Sequence, residues 1–288
     1  MGALDALRDT PVVFDASTRA RVRLVGPDAR AFLHRLSTQH VSELASGQGR
    51  LNVLTTDKGR IVDVVHHLDR GDDGVLLVGS AGKGPALLAW LDRYLFSEKL
   101  ELAEVTGPCF EVTGATDLGP WQHRGDTVRT FDRVDGKGDR VACVIVMRDV
   151  VDGVRATADE AEVVRIAAGV PGAGELCEKF NPLDLGLHDA IHWNKGCYIG
   201  QEVIARLDTY QKQHKVLATL RAQSPLTVGA SVTIDEKNVG EVTSVAPATW
   251  GDRANALCIA RVAGASHAKV NGVDVDVAEP ATAQATHG

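Results

Sequence analysis

The chain has 288 residues, of which 44% are hydrophobic, so it can bury a substantial core as one large domain or as about two to three smaller ones. Its formal net charge of -7 argues against a broad basic face that grips nucleic acid, and we expect no direct nucleic-acid partner. The charged N-terminus and the shortness of every apolar run argue against a signal peptide and a membrane span, which favours a cytosolic protein.

The first two-thirds of the chain alternates strand-like and helical runs, a pattern typical of an α+β fold rather than of a regular parallel βαβ array. The predicted strands lie at residues 21–25, 50–55, 61–68, 75–78, 110–113 and 140–147. Helix start signals and apolar spacings of three and four predict helices at residues 29–36, 84–95 and 158–168.

After Lys215 the pattern changes to short β-rich runs separated by turn signals, which is typical of a small barrel or a Greek-key domain. The predicted strands there are 216–220, 231–234, 239–245, 256–262 and 274–277, with a hairpin turn at 235–238. We therefore divide the chain into residues 1–214, made of two α+β subdomains, a C-terminal β-barrel at 215–280, and a flexible tail at 281–288.

The glycine-rich run at residues 79–84 superficially resembles a nucleotide-binding loop. Its spacing matches neither the Gly-x-x-x-x-Gly-Lys-Ser/Thr pattern nor the Gly-x-Gly-x-x-Gly pattern. We therefore interpret it as a turn rather than as a phosphate cradle.

The cysteines are spread singly along the chain, which fits neither a disulfide scaffold nor a Cys-x-x-Cys metal site. They are Cys109, Cys143, Cys177, Cys197 and Cys258. His188 and His192 have the spacing that places two imidazoles on one helical face. Because no carboxylate or second thiol completes a ligand set beside them, we predict no metal site.

The most informative stretch is residues 194–206, in which Gly196 and Gly200 bracket Cys197. Apolar residues then recur at helical spacing, so we place Cys197 in a turn just before a helix N-terminus. Helix-end N–H groups, together with Lys195 and Arg206 if they lie close, would favour the thiolate of a reactive cysteine. A tight turn with a buried, inert cysteine explains the same spacing equally well.

Lys195-Gly196-Cys197-Tyr198-Ile199-Gly200-Gln201-Glu202 resembles the K-G-C-Y-x-G-Q-E signature of the YgfZ family, whose fold is shared with the glycine-cleavage T-protein. The similarity extends over most of the chain. It includes residues 23–33, 57–60, 165–171 and 182–184, and residues 239–244 resemble the G-x-V-T-S hairpin of the C-terminal barrel.

This resemblance implies a GcvT-like, multi-part folate-binding fold, ring-like and three-part, with tetrahydrofolate in its central hole and a small β-barrel at the C-terminus. It also implies a role in making or repairing iron-sulfur clusters, with a radical enzyme that methylthiolates transfer RNA among the client enzymes. Reduced folate and iron-sulfur client enzymes are therefore the predicted partners. We expect residues 240–244 at the inter-domain face near the folate cavity.

The predicted functional residues follow from the same match. Cys197 and Asp63 are the predicted catalytic groups. The predicted folate contacts are Asp63, Trp193, Lys195, Tyr198, Gln201, Glu202 and Arg206. Trp193 has two interpretations, stacking on the pterin or sealing a domain junction, and the second is favoured. The Cys197 thiol could accept a one-carbon unit, carry a sulfur or metal adduct, or relay redox chemistry.

Three positions depart from the pattern of the T-proteins. Ala167 stands where their L-R-x-E-x-G run has a glutamate that helps to hold the pterin ring, so we expect weak folate binding. In the G-G-x-x-D-D-like run Asp63 is retained but Val64 replaces the second aspartate, which leaves Asp63 as a pterin-nitrogen ligand or acid-base group. His40 replaces an acidic group in a T-x-D-V-like run.

The leading functional prediction is a tetrahydrofolate-binding, YgfZ-like accessory protein for iron-sulfur cluster assembly or repair. The alternative is an enzyme, a tetrahydrofolate-dependent aminomethyl or methyl transferase or a demethylase, which Asp63 and the T-protein-like barrel favour. A third hypothesis, a folate fold used only as an interaction scaffold, draws on Ala167.

Overall fold

The computed structural model describes residues 7, 10–113, 123–124, 127–129, 133–134, 140–141, 143–148, 152–210, 215–251, 255–262 and 264–278. Within these ranges the α-helices are α1 (Ala29–Leu36), α2 (Gly84–Asp92), α3 (Ala158–Ala167) and α4 (Gln201–Thr209). Short 3-10 helices occur at Gly71–Asp73, Pro182–Leu185 and His188–Ala190. No helix in the described part of the chain is long and apolar enough to cross a membrane.

The strands of the same ranges are β1 (Val12–Asp15), β2 (Arg19–Val25), β3 (Gly49–Thr55), β4 (Ile61–Asp69), β5 (Val75–Ala81), β6 (Glu101–Glu104), β7 (Phe110–Thr113), β8 (His123–Arg124), β9 (Thr127–Arg129), β10 (Arg133–Val134), β11 (Arg140–Val141), β12 (Cys143–Val146), β13 (Val154–Arg155), β14 (Val216–Arg221), β15 (Ser231–Ile234), β16 (Lys237–Val245), β17 (Ala256–Ala260), β18 (His267–Val270) and β19 (Val273–Ala278).

The first layer is an antiparallel five-stranded sheet in the order β3-β4-β5-β2-β6. Helices α1 and α2 pack on it because their apolar side chains recur at spacings of three and four, and Phe32 and Leu91 are fully buried in the shared core. The predictions of helices α1 and α2 and of strands β2 to β5 are confirmed.

The second layer is a six-stranded sheet in the order β13-β1-β7-β12-β9-β8, in which β1 pairs parallel with β13 and antiparallel with β7. The single strand predicted at residues 140–147 is wrong, because β11 pairs with β10 in a separate two-stranded sheet while β12 joins this one. Helix α3 begins with a reciprocal capping box between Thr157 and Glu160, as a helix start before an apolar run requires.

The third part is a closed six-stranded barrel in the order β14-β17-β16-β15-β18-β19. The α+β fold with a C-terminal barrel is therefore confirmed. Strand β18 was not predicted, because His267 and Lys269 alternate with its two buried side chains and the run contains little apolar sequence. The domain boundary at residue 215 stays a prediction, and the tail predicted at 281–288 lies outside the described residues.

The outer face of the barrel packs on the first sheet. Leu217, Leu257 and Ile259 form one buried cluster with Val53 and Val64. This apolar contact sets the barrel beside strands β3 and β4, and it brings parts of all three layers around one cavity.

Candidate functional site

A cavity of about 520 Å³ lies where the three layers meet. Its wall includes Phe14 of β1, Arg19 of β2, Val64 and His66 of β4, Ser80 of β5, Glu111 of β7, Glu162 and Arg165 of α3, the loop at 170–174, and Ser244 of the barrel. A concave site of this size suits a small organic molecule. Ser244, the last residue of the segment predicted to lie near the folate cavity, is part of this wall.

One face of helix α3 lines the cavity. Ala158, Ala161, Glu162 and Arg165 recur at positions i, i+3, i+4 and i+7, which lie on one side of an α-helix. Ala167 is about 200° around the helix from Arg165 and is absent from the cavity wall. The helix therefore brings a carboxylate to the cavity through Glu162 rather than through position 167.

Arg165 is the centre of a polar network that joins α3 to the barrel. Its guanidinium donates to Glu162 at 2.5 and 2.8 Å and to the Ser244 hydroxyl at 2.9 Å. The Ser244 hydroxyl in turn donates to Glu175 at 2.7 Å, and Glu175 also accepts from the Gly172 amide at 2.7 Å. This wall is therefore held in place by charge-assisted hydrogen bonds from three segments.

The facing wall carries a second ion pair. Arg19 donates to Glu111 at 2.7 Å and to the carbonyl oxygen of Gly79 at 2.9 Å. His66 lies near this pair, and burial lowers its pKa to about 3, with the Arg19 charge adding to the effect and Glu111 opposing it. His66 is therefore neutral near pH 7.

Asp63 and Val64 lie on opposite faces of β4. Val64 is part of the cavity wall, whereas Asp63 is only 1% exposed and its carboxylate accepts from the amide of Ser80 at 3.1 Å and from the Ser80 hydroxyl at 2.5 Å. Strands β4 and β5 stop pairing at His66 and Val78, so the amide of Ser80 has no partner in β4. The Asp63 carboxylate accepts from that amide instead. Asp63 is absent from the described cavity wall and is bonded to Ser80, which is part of it, and the predicted pterin contact of Asp63 stays a prediction.

The signature residues lie together at the β3–β4 turn, outside the described cavity wall. Lys195 is buried, and its ammonium donates to the carbonyl oxygens of His34, Ser37 and Gln39 at 2.5, 2.7 and 2.9 Å. Burial lowers the pKa of Lys195 to about 8. The ammonium therefore joins the signature loop to the C-terminal end of α1, where carbonyl groups lack helical partners, rather than serving the thiol.

Tyr198, Ile199 and Gly200 also hold the signature loop in place. Tyr198 packs in a buried cluster with Ile191 and Ile204, and burial raises its pKa to about 12. The carbonyl oxygen of Ile199 accepts from the Thr55 hydroxyl at 2.6 Å. The predicted turn before a helix is confirmed, because α4 begins at Gln201 directly after Gly200, which has a φ of 83°.

Cys197 is exposed, so the alternative of a buried cysteine in this turn is wrong. Arg206 pairs with Glu202 at 3.0 Å on the solvent side of α4, and Trp193 is 41% exposed. None of the signature residues is part of the described cavity wall. The predicted folate contacts at 193–206 and the cavity are thus two different places on the protein.

A histidine cluster beside the signature loop was not predicted. The ring centroids of His34 and His40 are 4.7 Å apart, and those of His40 and His192 are 5.2 Å apart. The helical pairing of His188 with His192 is wrong, because a 3-10 helix ends at Ala190 and the backbone continues extended. Tertiary contact between α1 and the loop creates the cluster, so no local spacing signals it.

Most of the charged cavity wall has no local signal in the sequence. Arg19 and Glu111 meet across 92 positions of the chain, and no local pattern connects them. One local pattern does indicate part of this wall. Glu162 and Arg165 lie on the same helical face as Ala158 and Ala161, whose small side chains leave space beside the helix.

This three-part α+β fold, with a charged, ligand-sized cavity between two sheets and a closed barrel, is similar to that of a solved aminomethyltransferase. The crystal structure of the glycine cleavage system aminomethyltransferase T from Bartonella henselae is similar over 96% of this chain and 88% of that chain, with a TM-score of 0.77 and 18% identity. Residues 3–116 match the family described as the GCVT N-terminal domain.

A "Putative transferase At1g60990, chloroplastic" from Arabidopsis thaliana is 31% identical over 84% of this chain and 63% of its own length. An "Aminomethyltransferase" from Herpetosiphon aurantiacus is 24% identical over 72% of this chain and 58% of its own length. The chain thus spans about three-fifths of these relatives. These comparisons show a GcvT-like fold for the chain and a match to the GcvT family over its N-terminal part.

Proposed function

We propose that the protein is a YgfZ-like accessory protein that binds tetrahydrofolate in the cavity and supports the assembly or repair of iron-sulfur clusters in client enzymes, including tRNA-modifying radical enzymes. The observation that carries the proposal is the placement of Cys197. Its thiol is exposed on a loop that contacts of Lys195 and Gly200 attach to the rest of the protein, where a protein client can reach it.

The cavity wall has the chemistry that a reduced folate requires. A pterin presents N–H groups that carboxylates such as Glu162 and Glu111 bind, and the glutamate end of a folate presents carboxylates that guanidinium groups such as Arg19 and Arg165 bind. Because each of these side chains already has a partner of opposite charge, binding must compete with two ion pairs. We therefore expect affinity in the micromolar range or weaker, about -8 kcal/mol or less in magnitude.

Val64 supports an accessory role over transfer chemistry. It occupies the cavity wall at the position where the T-protein pattern has its second aspartate, and an apolar side chain cannot exchange protons with a ligand. The retained Asp63 is directed away from the cavity and is occupied by Ser80.

The second candidate function is a tetrahydrofolate-dependent aminomethyl or methyl transferase or demethylase. The relatives named aminomethyltransferase and the similar fold favour it. Purified protein with tetrahydrofolate and a methylamine donor separates the two functions. Release of the amine, together with transfer of the donor's one-carbon group to the folate, would support the transferase and contradict a purely accessory role.

The accessory role is tested in a strain that lacks this protein, with the activity of an iron-sulfur enzyme as the readout. Cys197→Ser should fail to restore that activity, since only the exposed sulfur is removed. Cys177→Ser is the matched control because it changes a half-buried cysteine outside the signature, and it should restore activity fully. Full complementation by Cys197→Ser would overturn the role of the thiol.

A further inference from the structure

The hydroxyl group of Ser80 has a direction that the protein itself imposes. Ser80 is 8% exposed and lies in the cavity wall, and its hydroxyl donates to Asp63 Oδ1 at 2.5 Å. A serine hydroxyl has one hydrogen and two lone pairs. Because the hydrogen is directed at Asp63, only lone pairs remain for a ligand in the cavity.

The carboxylate of Asp63 is fixed as an acceptor. Oδ1 also accepts from the Val64 amide at 2.9 Å, and Oδ2 accepts from the Ser80 amide at 3.1 Å. The ammonium of Lys83 lies 3.9 Å from Oδ1. Every described contact of this carboxylate therefore comes from a hydrogen-bond donor or a cation, and none of them allows the Ser80 hydroxyl to reverse.

Gly79 provides the space for this arrangement. A Cβ atom at position 79 would lie 2.3 Å from Asp63 Oδ2, so any larger residue would displace the carboxylate. The buried carboxylate, the glycine and the serine thus form one unit, and Ser80 is the member of this unit that is part of the cavity wall.

An accepting oxygen in the wall discriminates between oxidation states of a pterin. In an oxidised pterin the nitrogens of the pyrazine ring carry lone pairs and no hydrogen, whereas in the tetrahydro form the same nitrogens carry N–H groups. A lone pair placed against another lone pair leaves both groups unsatisfied, which weakens binding by roughly 5-fold to 100-fold. An N–H group at the same point is a satisfied donor.

We propose that Ser80, oriented by Asp63, is the residue that makes the cavity select a reduced, N–H-bearing pterin over an oxidised one. This inference rests on the proposed folate site. It adds that Ser80 sets the preference, and that the Ser80 oxygen accepts the hydrogen bond from the ligand.

Calorimetry on the full chain under anaerobic conditions, with tetrahydrofolate and with folic acid, tests the proposal. The wild type should favour tetrahydrofolate by roughly tenfold or more. Ser80→Ala should bring the two affinities to within about threefold, and Ser80→Thr, which keeps the hydroxyl, should retain the preference. The control is Ser97→Ala, because Ser97 is an exposed serine outside the described cavity wall, so the ratio should not change.

Asp63→Asn tests the orientation itself. An asparagine can donate its amide hydrogen to the Ser80 oxygen, which frees the hydroxyl hydrogen to point into the cavity and shifts the ratio towards folic acid. Thermal denaturation verifies that each variant is folded. If Asp63→Asn is unfolded, the comparison of Ser80→Ala with Ser80→Thr decides the proposal. Binding of both compounds with the same ratio in wild type and Ser80→Ala would overturn this inference and leave the folate site standing. Failure of the wild type to bind either compound would overturn both.

Discussion

The α-carbon of Gly200 packs so closely on the carbonyl oxygen of Thr56 that a Cβ atom at position 200 would lie 2.5 Å from that oxygen. Gly200 also has a φ of 83°, which disfavours any residue with a side chain. This contact places the signature loop on the β3–β4 turn and starts α4 at the next residue.

Gly200→Ala should destabilise the protein by about 3 kcal/mol or more, because backbone strain and a collision with Thr56 add together. Gly229→Ala is the matched control, since Gly229 has a φ of 84° with nothing within 4 Å of the added Cβ, and it should cost only about 1–2 kcal/mol. Urea denaturation measures both. Equal losses in the two variants would show that the Thr56 contact has no cost.

Lys195→Met should destabilise the protein by about 2–4 kcal/mol, because it removes one ammonium and leaves three carbonyl oxygens without their donor. Lys179→Met is the control, since the Lys179 side chain is 58% exposed and its pair with Glu241 is at the surface. That change should stay within about 0.5 kcal/mol. A loss below about 1 kcal/mol for Lys195→Met would contradict the structural role.

Cys197 should be the first of the structurally described cysteines to react with iodoacetamide in the native protein. It is exposed, whereas Cys109 and Cys258 are buried, and burial raises the pKa of both thiols, that of Cys258 to about 12. Mass spectrometry of peptides from brief labelling at neutral pH measures the rates. Labelling of Cys258 as fast as Cys197 without unfolding would contradict the prediction.

His67 should make the protein lose stability in acid. It is fully buried, and burial lowers its pKa to about 3 from an ordinary 6.5. Because the folded-state pKa is below the unfolded value, the unfolded chain takes up the proton first. The contribution of His67 is therefore intact above about pH 6.5 and declines as the pH falls towards 3, by about 2 kcal/mol at pH 5.

His67→Leu removes this titration with a side chain of similar volume. The difference in free energy of unfolding between pH 7 and pH 5, from urea denaturation, should shrink by about 2 kcal/mol relative to the wild type. An unchanged pH dependence in His67→Leu would refute the assignment.

The sequence by itself determined the features that depend on local periodicity and on the signature motif. Helices α1 to α3 follow from apolar spacing and start signals, and most barrel strands follow from short alternating runs between turns. The Gly200 turn before α4 follows from the motif, because a glycine and the next helix start are adjacent in sequence.

Only the tertiary structure decided which groups face the cavity and which partners hold them. Asp63 and Ser80 meet across 17 positions, and Lys195 and Ser37 across 158. The motif suggested that Lys195 lies beside the Cys197 thiol, yet its ammonium donates to carbonyl oxygens at the end of α1. Carbonyl oxygens without helical partners are better acceptors than an exposed sulfur, and α1 is distant from Lys195 in the sequence. Such choices depend on hydrogen-bond satisfaction between distant segments after packing, and no spacing within one segment records them.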